Sequence, residues 1–140
     1  MTKIFLNGTA MAGQPDHACH SGSTFLGPAR TAAIFRFFSV RDEFPGLFRV
    51  VAAGRIIAGE LYEIPDEILH TRLLPAEPAE LELGKIELID GEVVHAMLLI
   101  PSRLAPDEHV VDISEIGSFR AYKRFLADNS APTIAWADLA

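Results

Sequence analysis

An apolar run that stops dead against a glycine turn constrains this chain more than any other feature. Ile4-Phe5-Leu6 is followed at once by Asn7-Gly8-Thr9-Ala10-Met11 and then by a second glycine, Gly13. Three consecutive apolar residues read as a buried strand, and the glycines let the chain turn sharply behind it without a Cβ clash. Such a loop leaves backbone N–H groups close together and unpaired. Asn7, Gly8, Thr9, Ala10, Met11 and Gly13 are therefore candidates to hold a carboxylate, a phosphate or a developing oxyanion.

The apolar segments that follow are short. The pattern predicts strands over residues 23–32 and 34–40, then a loop at Arg41-Asp42-Glu43-Phe44-Pro45-Gly46 closed by a Pro-Gly turn. Residues 47–52 and 55–63 read as a hairpin joined at Ala53-Gly54. Pro65-Asp66-Glu67 opens a helix carrying Ile68, Leu69 and Leu73, because proline suits a first turn and acids complement the positive end of the dipole. That helix should stop before Pro75, since Pro75 and Pro78 both interrupt a helical ladder. Residues 85–89 and 92–99 flank Asp90-Gly91, a strong signal for a two-residue hairpin turn. A last helix is expected through Leu126, with Phe119, Tyr122 and Phe125 on one face. Phe35, Phe37 and Phe38 join these aromatics as expected core. The sum is an α+β fold: a small mixed or antiparallel β-barrel with a few flanking helices, formed by residues 1–128, with 129–140 as a tail. Ile134 and Trp136 in that tail are the residues that could contact a partner.

Composition narrows the function. The twelve Lys and Arg residues are scattered and the net charge is −7, so the basic face that nucleic acid requires is missing. No apolar stretch approaches the ~20 residues of a membrane span, and Met1-Thr2-Lys3 shows no leader anatomy. The single Cys19 cannot form an internal disulfide, which makes the reducing cytosol the expected compartment.

Four further motifs stand in order along the chain: Phe25-Leu26-Gly27-Pro28-Ala29-Arg30-Thr31, Phe44-Pro45-Gly46-Leu47, Gly59-Glu60-Leu61-Tyr62-Glu63-Ile64-Pro65 and, later, Leu83-Gly84-Lys85-Ile86-Glu87-Leu88-Ile89-Asp90-Gly91. With Asn7–Met11 they resemble the gamma-glutamylcyclotransferase-like superfamily. The later segments, including Asp112-Ile113-Ser114-Glu115-Ile116-Gly117-Ser118-Phe119-Arg120-Ala121-Tyr122, look most like the C-terminal domain of allophanate hydrolases. The resemblance implies a small barrel with a cavity walled by the loop after the first strand. It also implies that this loop binds a substrate carboxylate and that a Glu after the Pro65 helix acts as general acid/base. That Glu falls on Glu77 or Glu80. In the allophanate hydrolase branch the acid is commonly absent, and a Gly-x-Pro segment matching Gly13-Gln14-Pro15 leads into cavity-lining residues, here His17. The branch is associated with a decarboxylating or assembly role beside an amidase, for which this chain is too short.

A catalytic Glu must lose solvent so that it can pass a proton both ways, whereas acids between prolines usually form a solvated loop. Glu77 and Glu80 carry both readings. His17 reads either as a cavity hydrogen-bonding group or as a surface loop residue. His17, Cys19 and His20 are too crowded to close a tetrahedral zinc site, so neither metal nor cofactor is expected. Glu60 and Tyr62 share one strand face, with Tyr62 read as core and its hydroxyl satisfied. Three functions stand open. The first is a stand-alone allophanate-hydrolase C-terminal-like protein that binds a small carboxylated amide or carbamate, decarboxylating it or assisting an amidase. The second is a cyclotransferase releasing 5-oxoproline from gamma-glutamyl amides. The third is a non-catalytic binding or assembly module, with an amidase or a second copy as partner.

Overall fold

A computed structural model describes residues 1–8, 11, 17 and 21–128. Eight strands form one mixed sheet: β1 (Thr2–Leu6), β2 (Thr24–Arg30), β3 (Phe35–Val40), β4 (Phe44–Arg49), β5 (Ala58–Ile64), β6 (Leu81–Glu87), β7 (Val93–Leu99) and β8 (Val110–Asp112). Their order is β2-β5-β1-β7-β4-β3-β8, with β6 also on β7. The sheet curls into a half-barrel, and the end of β2 reaches back to β6. An antiparallel bridge joins Thr31 to Leu88 there, flanked by hydrogen bonds from Ala32 N–H to Glu87 O (2.9 Å) and from Ile89 N–H to Arg30 O (2.9 Å). The expected small barrel is thus the observed architecture.

β1 explains its own composition. Phe5 points into the curl, with Phe35, Phe37, Leu47, Ile86 and Ala96. Ile4 and Leu6 face the other way, against Met11, Tyr62, Ile64, Leu69 and Leu73. A strand buried on both faces has no polar alternation to show. Around Phe5 the inside of the curl is packed side chain, and a hollow opens between β2, β5 and the β6–β7 turn, lined by Ala29, Leu61 and Leu88.

Four expectations are corrected. The hairpin over residues 47–63 does not form: β4 pairs with β3 antiparallel and touches β7 in parallel, while β5 lies between β1 and β2. The real reversal is earlier, at residues 41–43, where Arg41 (φ 54°) and Asp42 (φ 57°) adopt the left-handed conformation. With the turn made there, Phe44-Pro45-Gly46 becomes the start of β4 rather than a loop. The Pro65 helix runs on past Pro75. It consists of α1 (Asp66–Ile68), a π-helical turn (Leu69–Leu73) and α2 (Leu74–Ala76). Leu74 N–H bonds to Leu69 O, and this widened register accommodates a proline that has no N–H and crowds the carbonyl four residues back. In the C-terminal helix, residues 119–128, Phe119 and Tyr122 are core but Phe125 is 52% exposed, and Phe38 is only partly buried. The hairpin at Asp90-Gly91 forms as expected, with Gly91 at φ 91°. The tail, with Ile134 and Trp136, lies outside the described residues.

Two non-glycine residues at positive φ are costly, and the turn is held by side chains. Asp42 Oδ1 accepts hydrogen bonds from Ser39 Oγ (2.8 Å) and from the Tyr122 hydroxyl (2.8 Å). Lys123 Nζ donates to Asp42 O (2.8 Å), and His109 stands 3.6 Å from Oδ2. Burial pushes the Asp42 carboxyl up, but the bonds from Tyr122 and Ser39, with His109 and Lys123 near, outweigh it and hold the group below its ordinary 3.8. A carboxyl whose pKa is depressed by folding stabilises the fold above its unfolded value and ceases to do so as pH falls through the folded one. Asp42→Asn should therefore lower Tm at pH 7, and the gap from wild type should close as pH falls below the ordinary carboxyl value. Thermal melts across that range check it.

Candidate functional site

β7 carries β6 along one whole edge. Its other edge is shared in sequence: β1 pairs at His95 and Ala96, and β4 takes over at Leu98. The sheet forks where β1 ends, and Asn7 and Gly8 turn out of it at the crotch. Gly8 is required by that geometry, since a Cβ there would lie 2.7 Å from Pro45 Cδ. Opposite, the end of α2 delivers Glu77, whose backbone is extended (ψ 148°) and whose N–H bonds to Leu74 O (3.1 Å). Asn7, Gly8, Pro45, Glu77, Leu81 and Met97 wall a hollow of about 20 Å³ at this fork, closed on one side by Phe44. Glu77 is half-buried there, and the hollow has room for a single small group such as one carboxylate or amide oxygen.

The structure thus brings Asn7, Gly8 and Glu77 together. Glu80 goes elsewhere: Arg41 Nη1 holds its carboxylate at 2.9 Å, and that hydrogen bond keeps the Glu80 carboxyl below its ordinary range. Arg41 also pairs with Glu43 and Glu108. Met11 turns its side chain into the core, and its N–H bonds to Gly8 O (3.1 Å). His17 is half-buried, its ring 6.0 Å from that of Tyr62. Tyr62 is buried, and its hydroxyl donates to Glu60 Oε1 at 3.0 Å. Arg55 pairs with Glu115 at 3.0 Å. Thr9, Ala10 and Gly13, and the Cys19 and His20 of the crowded cluster, lie outside the described residues. Among the described residues no group of three His, Cys, Asp or Glu side chains is placed to hold a metal ion, and no helix is long and apolar enough to cross a membrane.

Sequence reasoning missed Phe44 and Pro45 as walls, because Pro-Gly reads as a turn. It also missed Arg120, which stands 3.8 Å from Glu60. An arginine in the first turn of a helix carries no signal of what it faces.

The curled half-barrel is the gamma-glutamylcyclotransferase-like fold, which an AIG2-like protein of Mus musculus shares with a TM-score of 0.58 at 23% identity, over 76% of this chain and 81% of that one. Within that superfamily the chain belongs to the allophanate hydrolase C-terminal domain family, whose profile matches residues 2–124. Rat gamma-glutamylaminecyclotransferase is 32% identical over 76 residues, which are 50% of this chain and 51% of the relative. The chain therefore matches about half the length of that curated relative. Among solved structures, the uropathogenic E. coli-specific protein c4763 is 32% identical with a TM-score of 0.77, covering 87% of this chain and 94% of its own. The allophanate hydrolase of Kluyveromyces lactis superposes with a TM-score of 0.81 at 24% identity, covering 89% of this chain and 21% of that enzyme.

Gly8→Ala should destabilise the protein by about 1–3 kcal/mol through the clash with Pro45. Pairing it with Pro45→Ala, which removes the ring atoms that the new methyl meets, should restore most of the loss. Denaturant melts of the single and double variants test this.

Proposed function

We propose that this chain binds a small carboxylated amide or carbamate at the β1–β4 fork and that Glu77 exchanges a proton with its nitrogen. One observation carries the reading: Asn7 and Gly8, at the end of the first strand, and Glu77, at the end of the helical segment, wall one hollow. The loop supplies donors suited to a carboxylate, and the half-buried acid supplies a proton relay. Glu77 is preferred to Glu80 because an acid held ionised by Arg41 is poorly placed to cycle its proton.

In the decarboxylating version, the bond between nitrogen and the carboxylate carbon breaks. CO₂ leaves, the electron pair stays on nitrogen, and nitrogen takes a proton from Glu77 or His17. An apolar wall such as Met97 and Leu81 favours this, because charge disperses as CO₂ departs. An amidase made as a separate chain, in the cytosol, is the partner that this version calls for. The match to rat gamma-glutamylaminecyclotransferase favours a second version. There Glu77 takes a proton from the α-amine of a gamma-glutamyl amide, the amine attacks the γ-carbonyl, and the leaving amine takes the proton back.

Incubation with allophanate and with a gamma-glutamyl amine, following CO₂ and 5-oxoproline, separates the two versions. Glu77→Gln should reduce whichever turnover is seen by about 10²–10⁴-fold, while Glu80→Gln keeps wild-type turnover. Undiminished turnover in Glu77→Gln would overturn the assignment.

A further inference from the structure

Phe37 and Phe38 send their rings to opposite faces of β3, as strand period requires. Phe37 joins Phe119 and Tyr122 of the C-terminal helix. Phe38 faces away from that helix, with Val40, Leu99 and Leu104. On this second face Phe38, Phe48, Leu99, Pro101, Leu104 and Val110 wall a groove of about 300 Å³. Every wall residue is apolar, and Phe48 is 39% exposed. An apolar groove of this kind marks a surface that something covers.

The chain brings its own cover to the place. The C-terminal helix ends at Asp128, and its Tyr122 and Lys123 are tied to Asp42 in the turn after β3. Val40, two residues before Asp42, pairs with Val110 of the groove wall, and Phe38 lies about 7 Å further along β3. β8 ends the sheet on this side, and among the described residues it pairs only with β3. A chain leaving the helix can therefore pass around β8 to the other face. Residues 129–140 carry a single charge, at Asp138, and hold the apolar Ile134 and Trp136 two positions apart, on one side of an extended run. From Asp128 to Trp136 such a run spans about 26–29 Å, more than twice the diameter of about 10–12 Å of the helix it leaves. Among these residues Trp136 has the most apolar surface to bury.

We propose that residues 129–140 fold back around β8 and seat Trp136 in this groove, so that the chain covers its own apolar face. The proposal stands independently of Glu77.

Trp136 is the sole tryptophan, so fluorescence of the full chain reports on it directly. Its emission should lie to the blue of the urea-unfolded chain, resist acrylamide quenching and hold on serial dilution. Phe48→Asp puts a charge into the groove at a partly exposed position, and should move the emission to the red and restore quenching. Phe125→Asp, on the helix that the tail leaves, should keep both as in wild type. A second measurement needs no groove variant: Trp136→Ala should shift the ¹H–¹⁵N signals of Phe48, Leu104 and Val110 and leave that of Gly8 in place. Red, freely quenched emission in the wild type would overturn the proposal, as would blue emission retained in Phe48→Asp or lost in Phe125→Asp, or unmoved groove amides in Trp136→Ala. Blue emission that fades on dilution would assign the groove to the tail of a second copy and overturn it as well.

Discussion

The shared edge of β7 governs the rest of this structure. A strand offers one row of backbone groups on each side, and β7 gives one row entirely to β6 while dividing the other between β1 and β4. Two parallel neighbours cannot occupy the same row, so one must leave as the other arrives. The departure of β1 forces the Asn7-Gly8 turn, and the arrival of β4 brings Pro45 against Gly8. The gap between them is what the end of α2 fills with Glu77. The site follows from competition for backbone hydrogen bonds, and its side chains are placed by strands that would otherwise collide.

Seen this way, the parts of the fold that were legible in the sequence are those set by local chemistry. The apolar triplet Ile4-Phe5-Leu6 announced a buried strand, Asp90-Gly91 announced a hairpin, and Pro65-Asp66-Glu67 announced a helix start. The misreadings all involve residues whose local preference was overruled by distant partners. Arg41 and Asp42 fall in the expected loop, but they carry no glycine, so nothing local puts the reversal on them rather than on Pro45-Gly46; Tyr122, Lys123 and His109, far along the chain, hold Asp42 there. Phe44-Pro45-Gly46 looks like a turn and is instead a strand start that fits the fork. Pro75 looks like a helix stop, yet a π turn lets the helix carry on to Ala76, which decides where Glu77 emerges.

The two candidate acids show the same division. Glu77 and Glu80 are alike by type and by neighbouring prolines, so their sequence hardly separates them. The structure separates them in environment, because Arg41 pairs with Glu80 while Glu77 lines the hollow at the fork. The alternation of Glu60 and Tyr62 was legible from strand period, and their mutual hydrogen bond follows from it. That Arg120 would complete the pair was not legible, because it comes from a helix packed across the sheet.

β2 is the terminal strand of the curled sheet, and the short Thr31–Leu88 bridge with its flanking hydrogen bonds ties its end to β6. A strand so placed is a template for pairing with another molecule, the first step towards aggregation. β2 disarms itself in two ways. Its register slips between Phe25 and Gly27, which bends the edge, and Pro28 removes a donor from the middle of it. The segment that lines a hollow beside Glu60 thus also blunts the sheet's terminal edge.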